Sequence, residues 1–242
     1  MSNNVTIMGS GNTGLSTALK LKYDGKSVCL FDIEEFSESI KNLHSKTILK
    51  LQSEEKTLNL DLVTTDIKDA LNFSKIIIIC VPAYAHKEFA KVLSNNVTKD
   101  HIVILMPGTL GSLEIRNILV KNNSEIPILG ETDTSPFVCR RTGTKEATIL
   151  GEVPSLGIGI NPKKISEKII NILKRFFPTL TPYKDVIECG FSSLNPVVHP
   201  AGVLLNSGRI EKSEGEFYFY NEGITPSVSN VINSVDKERR NI

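Results

Sequence analysis

A doubly wound α/β sheet followed by a short, incomplete all-helical region is the fold class that these 242 residues predict, and three observations predict it. Short apolar runs at residues 5–8, 27–31 and 75–81 each lead into turn or polar residues with helix-like segments between them, the rhythm of a parallel sheet. The run Ile76-Ile77-Ile78-Ile79-Cys80-Val81 is continuous rather than alternating, as expected for a central strand covered on both faces. Near residue 190 the strand-like runs stop and proline-initiated helical segments take over.

In order along the chain, the first strand enters Gly9-Ser10-Gly11-Asn12-Thr13-Gly14, which opens a helix carrying Leu15, Ala18, Leu19 and Leu21. The context makes this glycine pattern a dinucleotide loop of Rossmann type. Gly9 permits the tight turn, Gly11 lets the backbone approach a pyrophosphate, and Gly14 lets helix and strand pack closely. Ser10, Asn12 and Thr13 complete the candidate cofactor-binding loop. The second strand ends in Asp32, placed to accept hydrogen bonds from the adenosine ribose and to repel a 2′-phosphate. Ile33, Glu34 and Glu35 supply no arginine, so NAD(H) is preferred and NADP(H) disfavoured. Asp32 could alternatively cap a helix beginning at Glu34.

The strand at residues 75–81 ends in Val81 and Pro82, the strand at 101–106 in the turn Met106-Pro107-Gly108-Thr109-Leu110-Gly111. Ligands of such sheets sit beyond the carboxyl ends of the strands, so both turns are expected to line the nicotinamide side of the crevice. A helix at 112–122 and a strand at 126–130 continue the pattern, followed by short β-like pieces at 147–160 and a helix at 163–177 stopped by Pro178. His86 and His101 read as surface or packing residues, and His44 as the midpoint of a polar helix. The expected domains are residues 1–189, which bind the dinucleotide, and residues 190–242, which begin a helical region. Its helices span 196–210 and 226–240, the latter capped by Thr225 with Pro226 at its first position. Val228, Val231, Ile232 and Val235 give the last helix an apolar face that needs a cover.

Composition narrows the partners. Lys and Arg total 28 against 27 Asp and Glu, too balanced to gather nucleic acid or anionic lipid. No apolar run approaches the roughly 20 residues of a membrane span, and the N-terminus lacks the regions of an export signal. Cys29, Cys80, Cys139 and Cys189 have no paired spacing, which points to reduced thiols in a cytoplasmic protein with small-molecule partners.

Four stretches carry a resemblance: the nucleotide loop, residues 106–111, Glu131-Thr-Asp-Thr-Ser-Pro136-Phe-Val-Cys139-Arg140, and Asn195-Pro-Val-Val-His199-Pro200 continuing to Glu211, with residues 217–226 adding to it. In that order they resemble the opine dehydrogenases, the octopine and nopaline dehydrogenase family. The resemblance implies a Rossmann domain followed by an all-helical domain. It also implies reduction, by hydride from NAD(P)H, of an imine formed from an α-keto acid and the amino group of an amino acid. His199 matches the family's catalytic histidine, a proton donor near neutral pH, and Pro200 suits a first helical turn. Cys139 and Arg140 fall where the family approaches the keto acid. A guanidinium there can clamp a carboxylate, although spacing leaves open whether Arg140 or Arg141 turns inward. Asn195 either orients nicotinamide or substrate, or caps a helix. Glu222 and Thr225 are weaker candidates.

The helical domain of the family is considerably longer than 53 residues and supplies the acidic partner of the histidine. That partner is expected beyond Ile242, from a companion chain, or from a second copy in a homo-oligomer; Asp236 and Glu238 read as a solvated helix end. Two other readings remain: a reductase of a simple keto compound, as in glycerol-3-phosphate or ketopantoate reductases, and a non-catalytic NAD-binding subunit.

Overall fold

The computed structural model describes residues 3–52 and 54–242; Met1 and Ser2, part of the expected lead into the first strand, lie outside them. From the N-terminus the chain runs β1 (Asn4–Met8), α1 (Asn12–Tyr23), β2 (Ser27–Phe31), α2 (Ser37–Ile40), β3 (Thr47–Lys50), β4 (Glu55–Leu58), β5 (Leu62–Thr64), α3 (Ile67–Phe73), β6 (Ile76–Ile79), α4 (His86–Leu93) and β7 (Ile102–Leu105). It continues through α5 (Gly111–Lys121), β8 (Ile128–Thr132), β9 (Phe137–Gly143), β10 (Glu146–Glu152), β11 (Leu156–Asn161), α6 (Ser166–Leu173), β12 (Leu180–Pro182), α7 (Val186–Ser192), α8 (Asn195–Leu204), α9 (Ser207–Lys212) and α10 (Pro226–Arg240).

Eight strands form the main sheet in the order β12-β11-β8-β7-β6-β1-β2-β5, parallel throughout except where β11 meets β8. The four isoleucines of β6 are all buried because alternate side chains enter opposite layers. Ile76 and Ile78 join one core with Leu15, Leu19 and Ile169. Ile77 and Ile79 join the other with Phe89, Ile115 and Leu119. From β1 the chain builds outward to β2 and β5, then returns to β6 on the other side of β1. The strand order therefore reverses between β1 and β6, where a crevice opens beyond the carboxyl ends.

A second sheet, β4-β3-β10-β9, covers the side of α1 turned away from the main sheet. The helix-like segment expected between β2 and β6 is therefore mostly absent. Residues 47–50 and 55–58 form a hairpin, and β3 then pairs in parallel with β10 about a hundred positions later. Leu49, Cys139, Ala147 and Ile149 join the α1 core, so this hairpin is retained by apolar burial supplied from afar. His44 lies in the turn after α2 and not within a helix, and the helix expected at 163–177 reduces to a 3-10 turn followed by α6.

Two compact units follow one another, Met1–Gly190 and Phe191–Ile242. Within the second, the expected 196–210 helix breaks at Leu205 and Asn206 into α8 and α9. Asn206 Nδ2 donates to the carbonyls of Gly202 at 2.7 Å and Gly223 at 2.9 Å, which fastens the break to a π-helical turn at Phe219–Gly223. α10 packs on α8 and buries Val228, while Val231 and Val235 of the same face stay exposed. Thr225 caps α10 by accepting from the Val228 amide, with Pro226 following as expected.

Candidate functional site

The Gly9–Gly14 loop joins β1 to α1 at the strand-order reversal. Gly9 has φ +96°, a left-handed conformation that side chains resist, and an added Cβ would lie 2.5 Å from Val81 Cγ1. At Gly14 an added Cβ would lie 1.8 Å from the Gly9 carbonyl oxygen, so helix and loop touch backbone to backbone. Gly11 is different: a Cβ there meets nothing within 4 Å and projects into open space. Gly11 also begins α1 without a side-chain cap, and no acidic residue occupies the first turn. The first amides of α1 are thus left to a ligand, and the positive end of the helix favours an anion.

Two adjoining clefts meet along Gly11, Cys80, Val81 and Pro82. The first, about 400 Å³, is walled by the loop residues Gly11, Asn12 and Thr13, by the turn after β6, and by Met106 to Thr109 after β7. The second, about 270 Å³, is bounded by Gly9, Ser10, Asp32, Phe36, Ser39, Tyr84 and Arg141 among others. Asp32 ends β2 as expected for a ribose acceptor, but its carboxylate is largely occupied by the protein. Oδ2 accepts from the Ser10 amide at 2.8 Å and the Ser10 hydroxyl at 2.6 Å, and Oδ1 from the Ile33 amide at 3.0 Å. It does not cap a helix at Glu34: the residue before that 3-10 turn is Ile33. Glycine cradle, uncapped helix end, buried acid and nearby guanidinium together fit an anionic dinucleotide lying across both clefts.

The loop is braced from outside by the second sheet. The Arg141 amide donates to Asn12 Oδ1 at 2.9 Å, and the Cys139 thiol lies 3.6 Å from the Asn12 carbonyl. Strand alternation answers the question left open between the two arginines. Phe137, Cys139 and Arg141 face α1, whereas Val138 and Arg140 face outward. Cys139 is thus a buried packing residue beneath the loop, and Arg140, exposed, donates to the Cys139 carbonyl at 2.9 Å. Arg141, which sequence spacing did not single out, enters the second cleft.

Two further groups lay outside the expected set. Glu131, at the carboxyl end of β8, is fully buried and accepts from the Leu110 amide at 2.6 Å and the Ser112 amide at 3.0 Å. Burial pushes its carboxyl above the usual carboxylate range. It holds the turn after β7, in which Thr109 and Leu110 adopt positive φ, against the sheet. Its sequence signal was its place at the head of the Glu131–Arg140 stretch, directly after the expected strand. His86 opens α4, lines the first cleft and is 2% exposed; burial pushes its pKa down, and its Nε2 has no hydrogen-bond partner among the described residues. All four cysteines are free and buried, and burial pushes the cleft residue Cys80 up to about 12.

In the second unit, His199 is exposed on α8, its ring centroid 5.4 Å from that of Phe219. Pro200 lies inside the helix rather than in its first turn, and Pro196 takes the initiating role. Asn195 is the first helical residue; the capping position is Leu194. Much of the surrounding motif serves packing. A Cβ at Gly202 would lie 2.5 Å from the Phe219 ring, one at Gly223 2.6 Å from the Phe217 ring, and Glu222 pairs with Arg209 at 3.2 Å. Asp236 bonds Arg239 at 2.6 Å and Arg240 at 2.7 Å, a surface charge cluster on α10. No helix among the described residues is long and apolar enough to cross a membrane.

Fold and clefts together define a Rossmann-type NAD-binding domain of the kind dehydrogenases carry. Residues 4–114 match the model of the NAD-dependent glycerol-3-phosphate dehydrogenase N-terminus, and residues 182–242 match that of the α-helical domain of NAD/NADP octopine/nopaline dehydrogenases. An opine dehydrogenase of Arthrobacter sp. is 30% identical over 236 residues, covering 96% of this chain and 65% of the relative. The vitopine synthase of Allorhizobium ampelinum is 28% identical over 73% of the chain and 49% of the relative. Among solved structures, octopine dehydrogenase in complex with NADH and agmatine superposes with a TM-score of 0.72 at 18% identity, over 98% of this chain and 62% of that one. Yersinopine dehydrogenase gives 0.74 at 14% identity over 94% and 60%. Over nearly its whole length the chain is similar to opine dehydrogenases. It spans about two thirds of the first of these curated relatives and about half of the second.

Proposed function

We propose that the chain is an NAD(H)-dependent oxidoreductase of opine dehydrogenase type that condenses an α-keto acid with an amino acid and reduces the resulting imine to a secondary-amine dicarboxylate. One observation carries the reading: a dinucleotide cleft built on Gly9–Gly14 and Asp32 occurs in the same chain as His199, which lies in the segment matching the octopine/nopaline dehydrogenase helical domain. Bound NADH supplies hydride to the imine carbon. The loop amides and the N-terminus of α1 hold the pyrophosphate, Gly11 leaving room for it, and Asp32 accepts from the ribose. The turns after β6 and β7, the latter fixed by Glu131, shape the nicotinamide end.

His199 acts on protons. Condensation gives a carbinolamine, and loss of its hydroxyl as water consumes one proton, which an imidazolium at this position donates. Reduction of the iminium then needs no further proton from the protein. In the reverse direction the neutral ring accepts the proton when water adds. Asn195, one turn before His199, is assigned to orient substrate or nicotinamide.

The test is NADH oxidation by the purified protein. Loss of absorbance with keto acid and amino acid together, but with neither alone, is expected, and His199→Ala should abolish it while folding and NADH binding persist. Oxidation with keto acid alone would replace this reading with that of a simple ketone reductase, whose N-terminal family model the first domain matches. Tight NADH binding without turnover of any substrate pair would leave a cofactor-binding subunit.

A further inference from the structure

We propose that Arg141 determines cofactor specificity: together with Ser10 and Ser39 it forms a donor set at the ribose end of the cleft that accepts the 2′-phosphate of NADP(H), so the protein takes both dinucleotides. This rests on the reading of the cleft as a dinucleotide site with Asp32 beside the adenosine ribose.

Three observations carry it. The first is the position of the charge. Arg141 reaches the second cleft from β9, more than a hundred residues after Asp32, and lines it with Ser10, Asp32, Phe36 and Ser39. The missing arginine after β2, which the sequence reads as disfavouring NADP(H), is therefore replaced from another part of the fold.

The second is how the guanidinium is held. Nε donates to the Gly143 carbonyl at 3.2 Å, Nη1 to Ser10 at 2.8 Å, and Nη2 to Ser39 and Thr144, both at 2.7 Å. Of five N–H groups, four are anchored and one on Nη1 remains. Every anchor is a neutral carbonyl, and Arg141 forms no ion pair among the described residues. A cation fixed by neutral dipoles, with the Asp32 carboxylate as an opposite charge in the same cleft, loses little side-chain freedom on binding.

The third is the state of the acid that should repel a phosphate. Asp32 is 5% exposed, and its carboxylate is turned onto Ser10 and Ile33. The Ser10 and Ser39 hydroxyls lie 2.5 Å apart, and rotation of either redirects a donor toward a ligand oxygen. Two hydroxyls and a guanidinium therefore stand where a bare carboxylate was expected. A phosphate received there gains charge-assisted hydrogen bonds, while the ribose of NAD(H) still finds the free lone pair of Asp32 Oδ1.

The experiment is titration of the full chain with NADH and with NADPH, followed by nicotinamide fluorescence at two salt concentrations, for the wild type and for Arg141→Met, Arg141→Lys and Ser39→Ala. Wild type is expected to bind NADPH within about tenfold of NADH, more steeply weakened by salt. Arg141→Met should weaken NADPH relative to NADH by about tenfold or more, the worth of one hydrogen bond to a charged group. Arg141→Lys, which keeps the charge, should lie between, and Ser39→Ala should lower NADPH binding selectively. If wild type discriminates against NADPH by more than about a hundredfold, or if all three variants lower both cofactors by the same factor, Arg141 is a structural clamp and the proposal fails. Should wild type bind neither NADH nor NADPH, the dinucleotide reading itself is overturned.

Discussion

Gly11 and Gly14 belong to one loop, yet replacing each with alanine should break different things. A methyl at Gly14 would sit 1.8 Å from the Gly9 carbonyl oxygen, where real contacts do not fall below 3.0 Å. Helix α1 would have to withdraw by more than 1 Å, and it cannot do so locally, because Leu15, Ala18 and Leu19 are fully buried. The obstacle is backbone rather than a flexible side chain, so the cost belongs at the upper end of overpacking, about 3 kcal/mol. For a chain of this size that lowers Tm by roughly 6–12 °C. Gly11 has φ −69° and ψ −165°, which alanine adopts freely, and a methyl there meets nothing. Its stability should therefore be unchanged or raised by up to about 1 kcal/mol. The same methyl holds a pyrophosphate off the loop amides and should weaken NADH by about tenfold or more. Urea denaturation and NADH fluorescence titration read the two effects separately. Wild-type stability in Gly14→Ala, or wild-type NADH affinity in Gly11→Ala, would refute the assignment of packing to one glycine and ligand approach to the other.

Other consequences are as direct. Asn206→Ala removes two hydrogen bonds that join α8 to the turn carrying Phe219; a loss of about 1–3 kcal/mol should appear as faster hydrogen exchange across residues 202–223, and unchanged exchange there would count against the role. His86 and His101 both have pKa values pushed below 6.5 by burial. The stability that comes from their neutral forms is present above pH 6.5 and is lost as pH falls through the lowered folded values. Replacing both with glutamine should flatten the acid limb of a urea-denaturation series, and parallel limbs would sink the idea. The Cys80 thiol, pushed up to about 12, should resist alkylation at pH 8 in the native state and react once urea unfolds the domain; rapid native labelling would show that the cleft floor opens.

What could be read from the sequence was local. The glycine loop, Asp32 and the isoleucine strand each declare themselves within a few residues, since a tight turn, a strand terminus and two-sided burial impose their own patterns. The second sheet does not. Residues 47–50 and 55–58 carry lysines and glutamates on short runs that resemble a polar helix, and β3 becomes a strand only because β10 offers it a partner a hundred residues later. Arg140 and Arg141 show the same limit on a smaller scale. Period two says that they face opposite ways, but which faces the cleft depends on the register in which β9 is fastened to β10 and α1. Glu131 and His86 went unrecognised because their importance comes from burial beside turns distant in sequence. The packing duties of Gly202, Asn206 and Gly223 around two phenylalanines were likewise invisible, although all three lie in the stretches that carry the resemblance.

The clamp that β9 places on the nucleotide loop also sets an order of assembly. Asn12 leaves the ribosome early, but the Arg141 amide that fixes its side chain follows 129 residues later. At about 5–20 residues per second that interval lasts several seconds at least. During that time the loop has its glycines, its strand and its helix, but not the brace that holds it, so the nascent domain lacks the finished cofactor cradle until synthesis has passed the β9–β10 hairpin. In this fold the nucleotide site is encoded first and completed late.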